Sequence, residues 1–284
     1  MTAGRLDIRP AGTEPGQIAA YAALLADVFG GDKFSAAAVA WRYRDNPAGT
    51  VVGADAWDGE RLAAHYVTCP LEAVVEGRVA RGLLSLNTAT HPDYQGRGLF
   101  TQLAGAAYAR GADAGYEFVI GVANANSTPG FLKRLAFQHV ARLQAGVLLR
   151  RPKRLGVTPV QFAGHWRDAL LGWRLANPAD RYSAARRGGV IGVYARTHLP
   201  LVQCAAFLPD AGQALGERAG APRAATLFLG LEPRLDLPSH GFWPIPDRFR
   251  PSPLNLIWRP LTDTVPRELD PRAVALNFLD FDPY

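Results

Sequence analysis

Between residues 83 and 123 the apolar positions change period twice. The run "LLSLNTAT" reads as a strand. After the turn residues of "HPDYQGRG", Leu99, Leu103, Ala106 and Ala107 recur at helical spacing until Gly115, and "EFVIGVA" is then a nearly continuous apolar run. Such a pattern predicts a strand–helix–strand unit whose second strand lies inside a parallel sheet. Upstream, residues 5–9 read as a first strand and residues 14–29 as a helix with Ile18, Tyr21, Ala22, Leu25 and Val28 on one face. A second helix starts from the cap Ser35 and must stop before Pro47. "VVGADAW", a turn at Asp58-Gly59 and "RLAAHYVTCPLEAVVEG" carry strand and hairpin signals.

Downstream, "STPGFLKRLAF" predicts a short helix capped by Thr128 with Pro129 in its first turn. "QHVARLQAGVLLR" predicts one or two strands. Residues 151–177 read as a connector with a helical piece around "HWRDALLGWRL". The second half continues with a hairpin around Gly188-Gly189, a strand "LPLVQCAAFL", a helix "DAGQALGERAG", and strands "AATLFLGL", "LNLIWRPL" and "ALNFLDF". It is again mixed α and β, and it faintly echoes the strand–helix–strand order of the first half.

Composition narrows the class. The chain has 284 residues, 48% of them apolar and 20% charged, a globular balance with room for two domains. No leading apolar block reads as a signal peptide, and no run is long enough to cross a bilayer. Cys69 and Cys204 are the only cysteines, and they form neither a disulfide framework nor a metal motif. The expectation is a cytoplasmic protein with no membrane partner and no metal. The net charge is +6, and only Lys33, Lys133 and Lys153 of the 31 basic residues are lysines. The arginines are scattered, paired only at Arg150-Arg151 and Arg186-Arg187, which argues against a nucleic-acid stripe and suits a phosphorylated small molecule.

The glycines between strand and helix carry the candidate chemistry. A helix leaves its first backbone N–H groups unpaired and partly positive, and glycines let a ligand approach them. Gln95-Gly96-Arg97-Gly98 therefore reads as an anion site. It lacks the Gly-Lys-Ser/Thr of a Walker loop. Thr101 stands where a dinucleotide fingerprint needs its third glycine.

These residues resemble the Gcn5-related N-acetyltransferase (GNAT) superfamily. Its phosphate loop, Gln/Arg-x-x-Gly-x-Gly/Ala after a strand ending in proline, is matched by Thr90-His91-Pro92 and Gln95 to Phe100. Its later Asn and short helix ending Leu-Gly-Phe are matched by "NANSTPGFLKRLAF". A subgroup pattern, "HPDY-x-G-x-G-x-F" with an upstream "W-x-Y-x-x-NPAG", is matched by Trp41, Tyr43 and Asn46 to Gly49. That pattern is similar to acyltransferases of amino sugars and related small amines. The family's usual acid tyrosine and base glutamate are replaced by Leu132 and Leu84.

The resemblance implies a mixed twisted α/β sheet over residues 1–150, followed at 151–284 by a second α/β part. The latter reads as a degenerate copy that walls the acceptor site. It implies acetyl-coenzyme A or another acyl-coenzyme A as donor and a small primary amine as acceptor, an amino sugar with or without a linked nucleotide. Backbone N–H groups of Gly96, Arg97, Gly98, Leu99, Phe100 and Thr101, with Gln95, would hold the pyrophosphate. Ala89, Thr90 and Asn126 would line the coenzyme arm, and the Thr88 N–H would polarise the thioester carbonyl. His65 and His91 are the first candidates for a base, followed by Glu72, Asp280 and Asp282. Trp41 and Tyr43 read as packing. The rival readings are a protein-lysine acetyltransferase and a non-catalytic acyl-coenzyme A-binding protein.

Overall fold

A computed structural model describes residues 6–30, 32–178, 182–197, 201–215, 225–250 and 252–281. In chain order the first half comprises β1 (Asp7–Pro10), α1 (Pro15–Phe29), α2 (Ala36–Tyr43), β2 (Val52–Asp58), β3 (Arg61–Val75), β4 (Arg78–Thr90), α3 (Leu99–Asp113), β5 (Phe118–Ala123), α4 (Thr128–Arg134), β6 (Gln138–Arg142) and β7 (Gln144–Leu148). The second half comprises β8 (Phe162–Gly164), α5 (Asp168–Leu175), β9 (Tyr182–Arg187), β10 (Val190–Arg196), β11 (Val202–Pro209), β12 (Ala225–Leu231), β13 (Phe242–Pro244), β14 (Asn255–Pro260), β15 (Val274–Asn277) and α6 (Phe278–Phe281). The periodicity missed β8 and β13, three residues each and too short to show alternation. "ALNFLDF" is a strand only to Asn277 and then turns into α6. Of the helix expected in "DAGQALGERAG", residues 210–215 are turn and coil, and 216–220 lie outside the described residues.

The chain divides into two compact units that are not continuous in sequence. Unit 1 is residues 1–71, 80–139 and 257–267; unit 2 is 72–79, 140–256 and 268–284. Each takes a strand from the other half of the chain. In unit 1, β14 pairs with β5; in unit 2, β7 pairs antiparallel with β12 from Thr226↔Leu148 to Gly230↔Gln144. A boundary near residue 150 accordingly does not coincide with the compact units.

In unit 1, β1, β2 and β3 pair antiparallel and β4 runs parallel to β5 from Gly82↔Phe118 to Ser85↔Gly121. One core gathers the apolar faces of α3 and α4, with Leu99, Leu103, Tyr108, Phe131 and Phe137 against Ala54, Tyr66 and Leu83. A second gathers α1 and α2, with Ile18, Tyr21, Leu25, Val39 and Tyr43 against Leu62, Val67 and Ala89. The helical spacing read from the sequence is thus the spacing of residues that leave water.

Unit 2 repeats this topology. β9, β10 and β11 form an antiparallel meander, and β12 runs parallel to β11 from Val202↔Ala225 to Ala205↔Phe228. The repeat then departs from the first. β7 covers one edge of β12 as far as Gly230, so β11 occupies the other edge. Past Phe228 that same edge is taken by β15, at Gly230↔Asn277 and Leu231↔Leu276. A Cβ at Gly230 would collide with the Leu276 carbonyl, so the close approach needs glycine. The gap between diverging parallel strands is filled here by the chain itself. In unit 1 no strand among the described residues pairs with the matching edge of β5 beyond Gly121.

Candidate functional site

The glycine turn lies where the pattern placed it, between β4 and α3. His91 opens a 3₁₀ turn over Pro92–Tyr94, and Gly96 and Gly98 have φ of 76° and 74°. L-residues adopt that region only with strain, which accounts for both glycines. Gly98 is the N-cap of α3, and a Cβ at either glycine would meet nothing within 4 Å. The first intrahelical bond is from the Gln102 N–H to the Gly98 carbonyl, at 3.2 Å. Among the described residues no acceptor takes the backbone N–H groups of residues 96–101. Six consecutive residues thus present donors and open space at a helix N-terminus, the makings of an anion site. Arg97 is held beside the turn by the Asp93 carbonyl (3.1 Å) and the Tyr94 ring (4.9 Å).

Phe100 stands where the superfamily loop carries a small residue. Its ring packs edge-on against Phe131 (5.2 Å) and Tyr66 (5.9 Å) and abuts Gly130 of α4. It holds the start of α3 to α4, while Leu99 is core. Only the backbones of these two residues are on offer to a ligand. Asn126 is exposed, and its side chain has no partner among the described residues. The N-cap of α4 is Ser127 rather than the expected Thr128, at which the helix begins; in the turn before it Asn124 Oδ1 accepts from the N–H groups of Asn126 (3.0 Å) and Ser127 (2.9 Å).

β4 changes course just before Thr88. Its parallel pairing with β5 ends at Ser85, and Asn87 has φ 49°. Asparagine tolerates this left-handed conformation better than most residues. The Asn87 side chain is fixed from behind, its Nδ2 donating to the Tyr43 hydroxyl at 3.2 Å. Tyr43 lies 3.1 Å from His65 Nε2, His65 Nδ1 lies 2.6 Å from Asp55 Oδ1, and Tyr21 donates to Asp55 Oδ2 at 2.6 Å. The Gly12 N–H donates to the Tyr21 oxygen at 3.1 Å.

One assignment of protons satisfies every member of this chain. With a proton on His65 Nδ1, facing Asp55, Nε2 is left to accept from Tyr43. The Tyr43 oxygen then accepts from Asn87. Tyr21, Tyr43, Asp55 and His65 are fully buried. Burial pushes the Tyr43 hydroxyl well above its usual pKa, and burial with the Asp55 carboxylate does the same to Tyr21. Tyr43 and Tyr21 therefore hold their protons rather than release them near neutral pH.

"WRYRDNPAG" makes this placement. Trp41 and Tyr43 are buried on α2, and Asn46 donates to the Pro70 carbonyl (2.8 Å) while accepting from the Ala48 N–H (3.0 Å). The motif thus latches the end of α2 onto β3. A second buried chain, Ser85–Tyr66–Tyr108, lies at the point where β4 and β5 part, with distances of 2.8 and 2.5 Å. Burial pushes Tyr66 up to about 12. Sequence reasoning passed over Asp55, Tyr66, Asn87 and Asn124. A lone Asp in an apolar strand and an Asn just before a predicted loop were the available signals.

The candidate bases are dispersed. His65 does not border a cleft; both its nitrogens are engaged inside the core. His91 is in a surface cluster, its Nε2 2.8 Å from Arg61 Nη2 and its Nδ1 3.2 Å from the Asp93 N–H, and no hydrogen bond joins it to the His65 chain. Glu72 belongs to unit 2 and is held by Arg167 (Nη2–Oε1 2.9 Å) and His165 (3.1 Å); the Arg167 guanidinium keeps its carboxyl below the usual range. Asp280, also in unit 2, accepts from Trp166 Nε1 (3.1 Å) and the Asn277 N–H (2.7 Å), and burial pushes it up to about 6. Asp282 lies outside the described residues. Among the described residues no group of His, Cys, Asp and Glu is arranged to hold a metal, and no helix is long and apolar enough to cross a membrane.

Known proteins resemble the chain in part of its sequence and in its fold. Residues 7–140 match the model of the acetyltransferase (GNAT) domain. Solved structures share the fold over most of the chain. A GCN5-related N-acetyltransferase from Kribbella flavida is 12% identical, with TM-score 0.62 over 90% of this chain and 71% of that one. Eis1 from Mycobacterium abscessus is 11% identical, with TM-score 0.60 over 90% and 74%. A tandem GNAT protein from the clavulanic acid biosynthesis pathway is 10% identical, with TM-score 0.52 over 92% of this chain and all of that one. No curated protein matches the chain. Residues 7–140 thus match a GNAT acetyltransferase domain, and the chain shares the mixed α/β fold of these structures.

Proposed function

We propose that unit 1 is an acyl-coenzyme A-dependent N-acyltransferase acting on a primary amine of a small molecule. The observation that carries this reading is the glycine turn. Six unpartnered backbone donors and two glycines facing open space follow a strand that turns left-handed at Asn87 and parts from its parallel neighbour. In this reading the N–H groups of residues 96–101 hold the coenzyme pyrophosphate, Gln95 and Arg97 flank it, and Ala89, Thr90 and Asn126 border its arm.

The coenzyme would supply the acyl thioester. The amine nitrogen forms the amide bond, the carbon–sulfur bond breaks, and one proton passes from nitrogen to sulfur by way of solvent. The Thr88 N–H serves the carbonyl oxygen as charge develops there. Its direction depends on Asn87, and Asn87 is set by Tyr43, His65 and Asp55. His65 therefore acts on the site through Tyr43 and Asn87 and does not touch the amine. His91 is too firmly held by Arg61 and Asp93 to be the first choice of base, so ordered water takes the ammonium proton. Holding donor and acceptor together supplies much of the rate.

For the acceptor we propose an amino sugar, with or without a linked nucleotide. The support is the "W-x-Y-x-x-NPAG" and "HPDY-x-G-x-G-x-F" resemblance together with the basic balance of the chain. Thermal melts with and without coenzyme A test the donor site. Ligand bound only by the folded chain raises Tm, and Gly98→Asp should abolish the rise. A folded Gly98→Asp variant with an undiminished rise would remove the turn from the site.

A further inference from the structure

Unit 2 contains a cavity of about 820 Å³ whose lining is strongly basic. Four of its cations, Arg150, Arg151, Lys153 and Arg154, come from the five residues "RRPKR" that follow β7. Arg187 adds a fifth from the end of β9, and Arg234 a sixth from the turn after β12. Asp236 is the single acid in the lining.

The basic segment is pinned as a strap. The Arg150 N–H donates to the His240 carbonyl (3.0 Å), the Gly189 N–H to the Lys153 carbonyl (3.1 Å), and the Gly156 N–H to the Arg234 carbonyl (2.7 Å). Pro152 in its middle is buried. Two of the cations have fixed partners: Arg234 is paired with Glu232 at 2.7 Å, and Arg150 donates to the Ser239 carbonyl at 2.8 Å. Lys153, Arg154 and Arg187 have no carboxylate within 4 Å among the described residues.

Convergent like charges on a fixed backbone repel one another, and an anion in their midst turns that repulsion into binding. Arginine forks and a lysine point charge together match phosphate oxygens. The lining also includes the apolar Leu148, Leu149 and Leu155, which offer a place for a ring. The volume is that of a small-molecule site. A duplex would require an extended stripe of cations rather than a concavity. We propose that this cavity binds a small molecule carrying two or more phosphate groups, of the nucleoside diphosphate class. The proposal is independent of the acyl-transfer reading, since every residue in it belongs to unit 2.

Calorimetric titration of the full chain, wild type and Gly98→Asp, with ADP, pyrophosphate, adenosine and citrate tests it. ADP and pyrophosphate should bind at one site and adenosine should not. Lys153→Ala/Arg154→Ala and Arg187→Ala should each weaken ADP binding by about tenfold or more, the worth of one or two charge-assisted contacts. These side chains are exposed, so melts should be unchanged. Gly98→Asp should leave ADP binding intact, which separates this site from the glycine turn. Absence of saturable ADP and pyrophosphate binding would overturn the proposal. So would loss of ADP binding in Gly98→Asp, indifference to the strap substitutions, or citrate binding as tight as pyrophosphate.

Discussion

Asp55 Oδ1 lies 2.6 Å from His65 Nδ1, and neither side chain has any exposed surface. The pair fixes the imidazole proton on Nδ1 and so leaves Nε2 to accept from Tyr43. Asp55→Asn offers that nitrogen a poorer acceptor and can reverse the tautomer, which sets His65 against Tyr43. A loss of about 1.5–3 kcal/mol is expected from weakening a buried hydrogen bond to a charged group, read by urea unfolding. A loss below about 0.5 kcal/mol would mean that the chain of bonds is not maintained in solution.

Tyr43→Phe keeps the ring and removes the hydroxyl between His65 and Asn87. Stability should fall by about 1–2 kcal/mol, because two buried partners are left unmet. If the left-handed turn at Asn87 aims the Thr88 N–H, kcat for acyl transfer should fall while KM for the coenzyme stays near its wild-type value. A rise in KM alone would place Tyr43 in binding instead. An unchanged kcat would disconnect this chain from the chemistry.

Gly82 shows how close the parallel strands approach before they part. A Cβ there would overlap the ring of Phe118, which itself stacks on Trp258 at 4.6 Å. Gly82→Ala should destabilise by about 1–3 kcal/mol through overpacking. Phe118→Leu in the same chain should recover part of the loss, and a simple sum of the two losses would contradict the clash.

Stability should depend on pH in two windows of opposite sign. Burial raises Asp280 to about 6 from 3.8, so its contribution is fully present below the lower value and is lost as pH rises through the higher one. Arg167, with His165, lowers Glu72 from 4.5, so its contribution is present above that value and is lost as pH falls through the lowered pKa. Asp280→Asn should flatten unfolding free energy between about pH 4 and pH 7, and Glu72→Gln should flatten it only below about pH 4.5. Flattening in the exchanged windows would refute both assignments.

Much of this could be read from residues alone. The switch from strand to helical period at residues 90–99 located the turn, because Gly96 and Gly98 serve backbone angles that few other residues take. α1 and α3 kept their expected faces, since amphipathic spacing reports burial directly. What was hidden was long-range. The exchange of β7 and β14 between the halves of the chain, and the insertion of β15 beside β12, depend on pairings between segments that are remote in sequence. His65 appeared to be a candidate base because a strand pattern gives alternation but not which face is sealed. Only the positions of Tyr21, Tyr43 and Asp55 show that it is enclosed. Phe100 seemed a departure from a loop pattern until its packing on Phe131 and Tyr66 gave it a task.

The central claim is that the turn at Gly96–Gly98 serves acyl transfer to a small amine. Coenzyme release from acetyl-coenzyme A measures this most directly, with amino sugars, their nucleotide conjugates, polyamines and lysine peptides as acceptors, for the wild-type chain and for Gly98→Asp. The account predicts amine-dependent release that is fastest with a sugar amine and is lost in Gly98→Asp while the fold persists. Release that no amine stimulates, or that lysine peptides stimulate more than every sugar amine, would contradict it.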